Sequence, residues 1–339
     1  MTAGWRGGNP SLSASAASTR LALHFSDRLP QREQILVRIM AMRADGDVEM
    51  AHDTLRAYLQ NYPGDAEAWF LLGDDEYHAS HESIAPLRHR PEEMLVLFDR
   101  VFGLDPSFTP ALIHPLEIAF RSVDAALIQQ YVSRVLAVAP GSSGALLYAD
   151  AADALQTKDP GALGNLLARI VATADSAGAD LGMQAAQAVG GPVLAAVITL
   201  SPDDRAVALE VFRATLDGTH RDAAAAMLAH IEIAHGNITA ARTLLAPLEP
   251  SQVDALRLVA AIDQRDAAAV QRAAQRIATA ATDSVWRRVA EAGYGFAAAL
   301  GSDTIAGLAQ VQATLPRQRY SAGSAFDALW FRWVELLAE

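Results

Sequence analysis

From Arg32 onward, apolar residues recur three and four positions apart for about a dozen residues, give way to a turn signal, and resume. That is the period of an amphipathic helix, repeated along the chain. Ile35, Ile39 and Met42 mark one apolar face and Ala51, Leu55, Tyr58 and Leu59 the next, with Asp45-Gly46-Asp47 between them. The pair predicts a helical hairpin. The device returns as Ala226, His230 and Ile233, then Gly236-Asn237, then Ala241, Leu244 and Leu245. Gly46 to Ala51 and Gly236 to Ala241 share a spacing of five: glycine permits the left-handed turn that closes a helix, and a small alanine lets the second helix cross the first closely.

Helix stops are regular as well. Tyr62-Pro63, Asp105-Pro106 and Ala139-Pro140 each end an apolar helix; Pro106 and Pro140 lie 34 residues apart, and Pro63 and Pro106 lie 43 apart. The surplus of nine residues is expected in a His-rich inserted loop from His78 to Arg90. Ser201-Pro202-Asp203-Asp204 reads as a helix start with an N-cap, a proline in the first turn and acids at the positive dipole end. Thr109-Pro110 reads as another start, and Ser251-Gln-Val-Asp254 as a capping box. Beyond Pro140 the metre weakens, but hairpins are predicted over Ala145–Thr173, Leu181–Leu216, Ala223–Leu248, Val253–Ala278 and Val285–Leu315. A last helix over Ala325–Leu337 would cap the stack with Trp330, Phe331 and Trp333, since a repeat array otherwise exposes an apolar end.

Composition supports repetition over a single core. At 339 residues the chain exceeds what one hydrophobic core usually serves, and alanine supplies much of the apolar content while aromatics make up only 6%, which suits closely packed helices. A net charge of -12 argues against a phosphate-binding surface, so no nucleic acid partner is expected. Lys158 is the only lysine, and there is no cysteine to form disulfides or thiolate sites. Met1–Arg20 lacks a signal-peptide core and reads as a disordered tail. The longest apolar run, Pro192–Leu200, is too short to cross a bilayer, so no membrane is expected and a cytoplasmic location is the default.

The second hairpin carries Trp69-Phe-Leu-Leu72-Gly73, then Tyr77, then Phe98, Val101 and Leu104-Asp105-Pro106. With the spacing of 34 it resembles a tetratricopeptide (TPR) unit. The family's tyrosine would fall on Glu76, one residue early, and Met94 stands where a small residue is usual. The resemblance covers roughly Arg32 to Pro140 and continues more weakly beyond. It implies an all-α, right-handed superhelical solenoid of antiparallel hairpins, with the first helix of each pair lining a concave groove. Transferred to this chain, the groove-facing pattern selects Met40 and Arg43, then Phe70, Asp74, Tyr77 and His78, then Ile113, Glu117, Phe120 and Arg121. These are the partner-binding candidates, shared with the competing use of the same faces for packing. The asparagines, Asn9, Asn61, Asn165 and Asn237, do not fit the carboxylate clamp that one TPR subclass uses. The run from His24 to Glu33, followed by such hairpins, is also similar to helical-repeat regions that follow the catalytic or DNA-binding domain in some bacterial serine/threonine kinases and large transcriptional regulators.

Catalytic patterns fail on context. His78, His81 and His89, with Asp74, Asp75, Glu76 and Glu82, permit a divalent metal site by residue type, but a polar loop explains them as well and no cofactor is expected. Asp74 and Glu76 read as a solvated face beside Trp69. His220-Arg221-Asp222 echoes a kinase catalytic loop, yet Met227 stands where the magnesium-binding asparagine belongs, so it reads as a helix start. Gly293-Tyr-Gly295 follows a helix and not a strand, so it signals close helix approach or a bend instead of a dinucleotide site. The sequence therefore points to a non-catalytic adaptor or scaffold that holds a peptide or helix. A regulatory repeat region whose kinase or regulator domain is encoded elsewhere, and a metal-dependent enzyme on a helical scaffold, are the alternatives.

Overall fold

The computed structural model describes residues 12–45, 48–82, 91–174, 181–216, 218–248, 251–281, 284–301 and 303–314. Within them every regular element is helical, with seventeen α-helices. The first ten are α1 (Leu12–His24), α2 (Gln31–Asp45), α3 (Val48–Asn61), α4 (Ala66–Glu82), α5 (Pro91–Leu104), α6 (Ile113–Ser122), α7 (Ala125–Val138), α8 (Ser143–Thr157), α9 (Pro160–Ala174) and α10 (Leu181–Thr199). Then follow α11 (Pro202–Thr215), α12 (Arg221–Ala234), α13 (Ile238–Leu245), α14 (Ser251–Asp263), α15 (Ala267–Ala280), α16 (Ser284–Leu300) and α17 (Thr304–Thr314). Successive helices pack on one another from α1 to α3, from α5 to α9 and from α12 to α17, and α12, α14 and α16 also touch in turn, the stacking expected of a helical repeat.

Two compact units result, divided within α10 after Ala196. α1 begins at Leu12, inside the segment expected to be a tail, in an alanine-rich stretch of high helix propensity; residues 1–11 lie outside the described residues. α4 likewise runs on to Glu82, so the first part of the expected inserted loop is helix, and residues 83–90 are not described. The predicted cap over Ala325–Leu337 also lies outside the described residues. No described helix is long and apolar enough to cross a membrane.

One turn recurs through both units. Val123, Lys158, Gly236 and Arg265 each close the first helix of a hairpin with a positive φ of 54°, 54°, 74° and 54°. An acid or its amide follows each time: Asp124, Asp159, Asn237 and Asp266. Three of these cap the second helix, with Asp124 accepting from the Leu127 backbone N–H at 3.1 Å, Asp159 from Ala162 at 2.6 Å and Asp266 from Ala269 at 2.9 Å. A cap of this kind stabilises a helix by about 1 kcal/mol. Four residues after the cap stands the side chain that docks onto the first helix: Ile128, Leu163, Ala241 and Val270, all buried. The spacing of five seen at Gly46–Ala51 and Gly236–Ala241 is thus general, but three of these four turns reach it without glycine.

Not every predicted helix start holds. Ser201 caps α11, accepting from the Asp204 N–H at 3.2 Å. Thr109-Pro110 opens a short 3-10 turn, and α6 starts only at Ile113. The side chain of Ser251 lies outside the described residues, and Asp254 Oδ1 takes Arg257 at 2.7 Å and Arg276 at 2.9 Å.

Candidate functional site on α4, α6 and α8

Leu71, His114 and Tyr148 stand 43 and 34 residues apart, the same steps that separate Pro63, Pro106 and Pro140. They are one register position on α4, α6 and α8. Leu71 is an ordinary core residue there, 2% exposed, whereas His114 and Tyr148 bring polar atoms to 8% and 0% exposure. Burying an imidazole is unfavourable unless its nitrogens are paired. Both are: Nε2 meets Asp74 Oδ1 on α4 at 2.9 Å, and Nδ1 meets Glu117 Oε2 one turn along α6 at 2.9 Å.

Tyr77 stacks on the His114 ring with centroids 4.0 Å apart, and Phe98 closes the other approach at 5.9 Å. Arg121 donates from Nη1 to the Tyr77 hydroxyl at 3.2 Å. Burial alone would depress the imidazole, but its hydrogen bonds to Asp74 and Glu117 outweigh that and raise His114 to about 9. For Glu117, burial pushes the carboxyl up while the His114 hydrogen bond and charge, the Tyr77 hydroxyl and Arg121 hold it below the ordinary range. Burial, reinforced by the Glu117 charge, raises the Tyr77 phenol. At neutral pH the cluster is a histidinium between two carboxylates, with an arginine at its edge. Tyr148, stacked beside Phe120 at 5.7 Å, buries a hydroxyl that makes no hydrogen bond, and its phenol is raised by burial and by Glu117.

Asp74, Tyr77, Glu117 and Arg121, expected to face a groove, therefore converge on one network, although Tyr77 is 4% exposed. Phe70 and Phe120, at 1% and 0%, are core side chains: the apolar face of each helix has gone to packing, the competing use. Met40 and Ile113 are half-buried, and Arg121 is exposed. The side chains of Arg43 and His78 lie outside the described residues. Asp74 and Glu76 are not a solvated face; Glu76 bridges His52 at 2.8 Å and Arg56 at 2.7 Å on α3. His114 itself was missed. Its signal was a histidine in a leucine register, beside acids 43 residues apart at equivalent positions, Asp74 and Glu117.

No group of three or more potential metal ligands occurs among the described residues. His81 belongs to α4 without a described side chain, and His89 is outside the described residues. His220-Arg221-Asp222 is a helix start, with Asp222 in the first turn of α12. At Gly293, an added Cβ would lie 2.8 Å from the Ala274 Cβ, and at Gly295 2.8 Å from Val311 Cγ2, so these glycines serve close helix approach.

A second polar cluster lies where the hairpins turn. Asp65, before α4, accepts from Arg32 Nε at 2.6 Å and Nη2 at 2.8 Å, from the Tyr58 hydroxyl at 2.7 Å and from the Ala68 N–H at 3.2 Å. Arg32 also reaches Glu67 at 2.9 Å. Burial would raise Asp65, but these donors hold it below the usual carboxylate range. The pair ties the first helix of one hairpin to the first helix of the next, 33 residues on.

Tandem antiparallel hairpins with no strand among the described residues, a recurrent capped turn and equivalent positions repeated from helix to helix define a helical-repeat protein. More particularly, residues 32–75 match the tetratricopeptide repeat family, over α2, α3 and the start of α4, and the chain is a TPR-like repeat protein. The hairpin matched is the first; the Trp69–Pro106 motif shares only its opening residues with the match. No curated protein sequence matches the chain. A TPR repeat is a protein–protein interaction module and not, in general, a catalytic one.

Proposed function

We propose that the chain is a non-catalytic adaptor or scaffold that holds a peptide or helix of another protein on the face formed by α4, α6 and α8. The observation that carries this reading is the Asp74–His114–Glu117 network with Tyr77 and Arg121. Buried charge of this kind does not favour stability over a well-packed apolar core, so its presence on successive first helices favours a recognition role. The network fixes Asp74, Glu117 and Arg121 in position before a partner arrives, which lowers the entropy lost on binding. Arg121, exposed at its edge, is the first contact, and half-buried Met40 and Ile113 supply apolar area.

Full-length protein, wild type or Arg121→Glu, is immobilised and exposed to lysate of the source organism, with Val207→Glu on α11 as a surface control. The reading requires a partner retained by wild type and Val207→Glu and lost with Arg121→Glu. Equal retention by all three removes this face from the function. Because Phe70 and Phe120 are core, their truncation would report folding instead of binding.

A further inference from the structure

At the turn ends of the first hairpins an open cleft of about 560 Å³ is lined by Arg32, Tyr58, Tyr62, Gly64, Asp65, Ala66, Glu67, Asp105 and Phe108. Three aromatic rings and three carboxylates share it with one guanidinium. Tyr62 stacks on Tyr58, centroids 4.7 Å apart and nearly parallel, and remains 45% exposed. Phe108 leans on Phe70 at 5.4 Å and is half-buried. Arg32 is committed to Asp65 and Glu67. Asp105 stands apart from that pair, oriented by the Ser107 N–H at 2.9 Å and hydroxyl at 2.7 Å, both on Oδ1.

We propose that this cleft takes the cationic side chain of an arginine or lysine from a basic peptide segment, seated against Tyr62 and Phe108 and paired with Asp105. Aromatic faces carry negative potential and attract guanidinium and ammonium groups. The carboxylate excess rejects anions, and a neutral apolar group would leave the acids less hydrated without compensation. The net charge of -12 favours approach of a basic partner. The site shares no residue with the Asp74–His114–Glu117 network or with Tyr77 and Arg121, so it stands or falls separately from that reading.

The test is calorimetric titration of the full chain with acetyl-Gly-Arg-Gly-Arg-Gly-amide, a lysine version and a glutamate version. The arginine or lysine peptide binds saturably, more weakly as salt rises, and the glutamate peptide does not. Tyr62→Leu, which keeps apolar bulk but removes the ring, and Asp105→Asn, which keeps the acceptor for Ser107, each weaken binding roughly threefold. Asp203→Asn, at an exposed position of α11, leaves it unchanged. Unchanged affinity in both cleft variants, an equal loss with Asp203→Asn, or no saturable binding of either basic peptide overturns the proposal. Unaltered helical circular dichroism shows that the variants are folded.

Discussion

Around Phe98 the first unit closes with rings and paired charges, whereas around Gly307 the second closes with alanine and glycine. Tyr58, Phe70, Tyr77, Phe98, Phe120, Tyr131 and Tyr148 are all buried before α9; among the described residues of the second unit the buried aromatics are Phe212 and Phe296. The second core instead gathers Ala241, Ala260, Ala273, Ala290, Ala292 and their aliphatic neighbours. Large rings hold helices apart and leave room for polar networks between them, such as the one at His114. Small side chains bring backbones together and leave less such room: a Cβ on Gly307 would sit 2.3 Å from the Ala299 nitrogen and 2.6 Å from the Gly295 carbonyl oxygen. The same hairpin thus serves two packing regimes, and the one with space between its helices carries the candidate sites.

Opposite substitutions should break the two regimes. Phe98→Ala empties the junction of Phe70, His114 and Gly73 and is expected to cost about 4 kcal/mol in denaturant unfolding, with hydrogen-exchange protection lost first in α4–α6. Gly307→Ala, a change of one methyl, is expected to cost about 3 kcal/mol because backbone must move, with protection lost in α16 and α17. If enlargement at Gly307 is harmless, the contrast between the units is wrong.

Each unit also has an acid that gathers arginine, half-buried Asp65 with Arg32 and buried Asp254 with Arg257 and Arg276. Asp65→Asn and Asp254→Asn should each lose about 2 kcal/mol, the scale of hydrogen bonds to charged groups, measured by urea denaturation. A far smaller loss at Asp254 would confine ionic tethering to the first unit. The His114 cluster gives the first unit a pH signature. Its folded-state pKa of about 9 lies above the ordinary histidine value of 6.5, so its stabilisation is complete below about pH 6.5 and is lost as pH rises through about 9. His114→Gln should flatten the wild-type decline in denaturation midpoint over that range, with Asp74, Tyr77, Glu117, Arg121 and Tyr148 as the other titratable or charged groups in view. The smallest effect is at Tyr148. Removing its unpaired hydroxyl in Tyr148→Phe should be neutral or raise stability by up to about 1 kcal/mol, read by thermal denaturation; a clear loss would mean that the hydroxyl has a partner on folding.

Much of the fold was legible. The helical period, the proline stops and the five-residue spacing located the hairpins because a helix must present its apolar side chains at 3.6-residue intervals whatever its neighbours are. The candidate site was legible in half. Carrying the repeat register across placed Asp74, Tyr77, Glu117 and Arg121 on neighbouring helices, but it could not separate a groove residue from a core residue, and Phe70 and Phe120 fell on the core side. His114 stayed hidden because a histidine among apolar residues acquires meaning only when the two acids that hold it arrive from a turn away and from another helix.

The sequence by itself determined the helices, their turns and the 34-residue step, since these depend on local backbone preference and on side chains a few positions apart. Only the tertiary structure decided that the contacts thin within α10, that Gly293, Gly295 and Gly307 mark close helix crossings, and that charges 40 residues apart meet at 2.9 Å. Those outcomes depend on which faces of distant helices are pressed together, and residue spacing along one chain does not specify that.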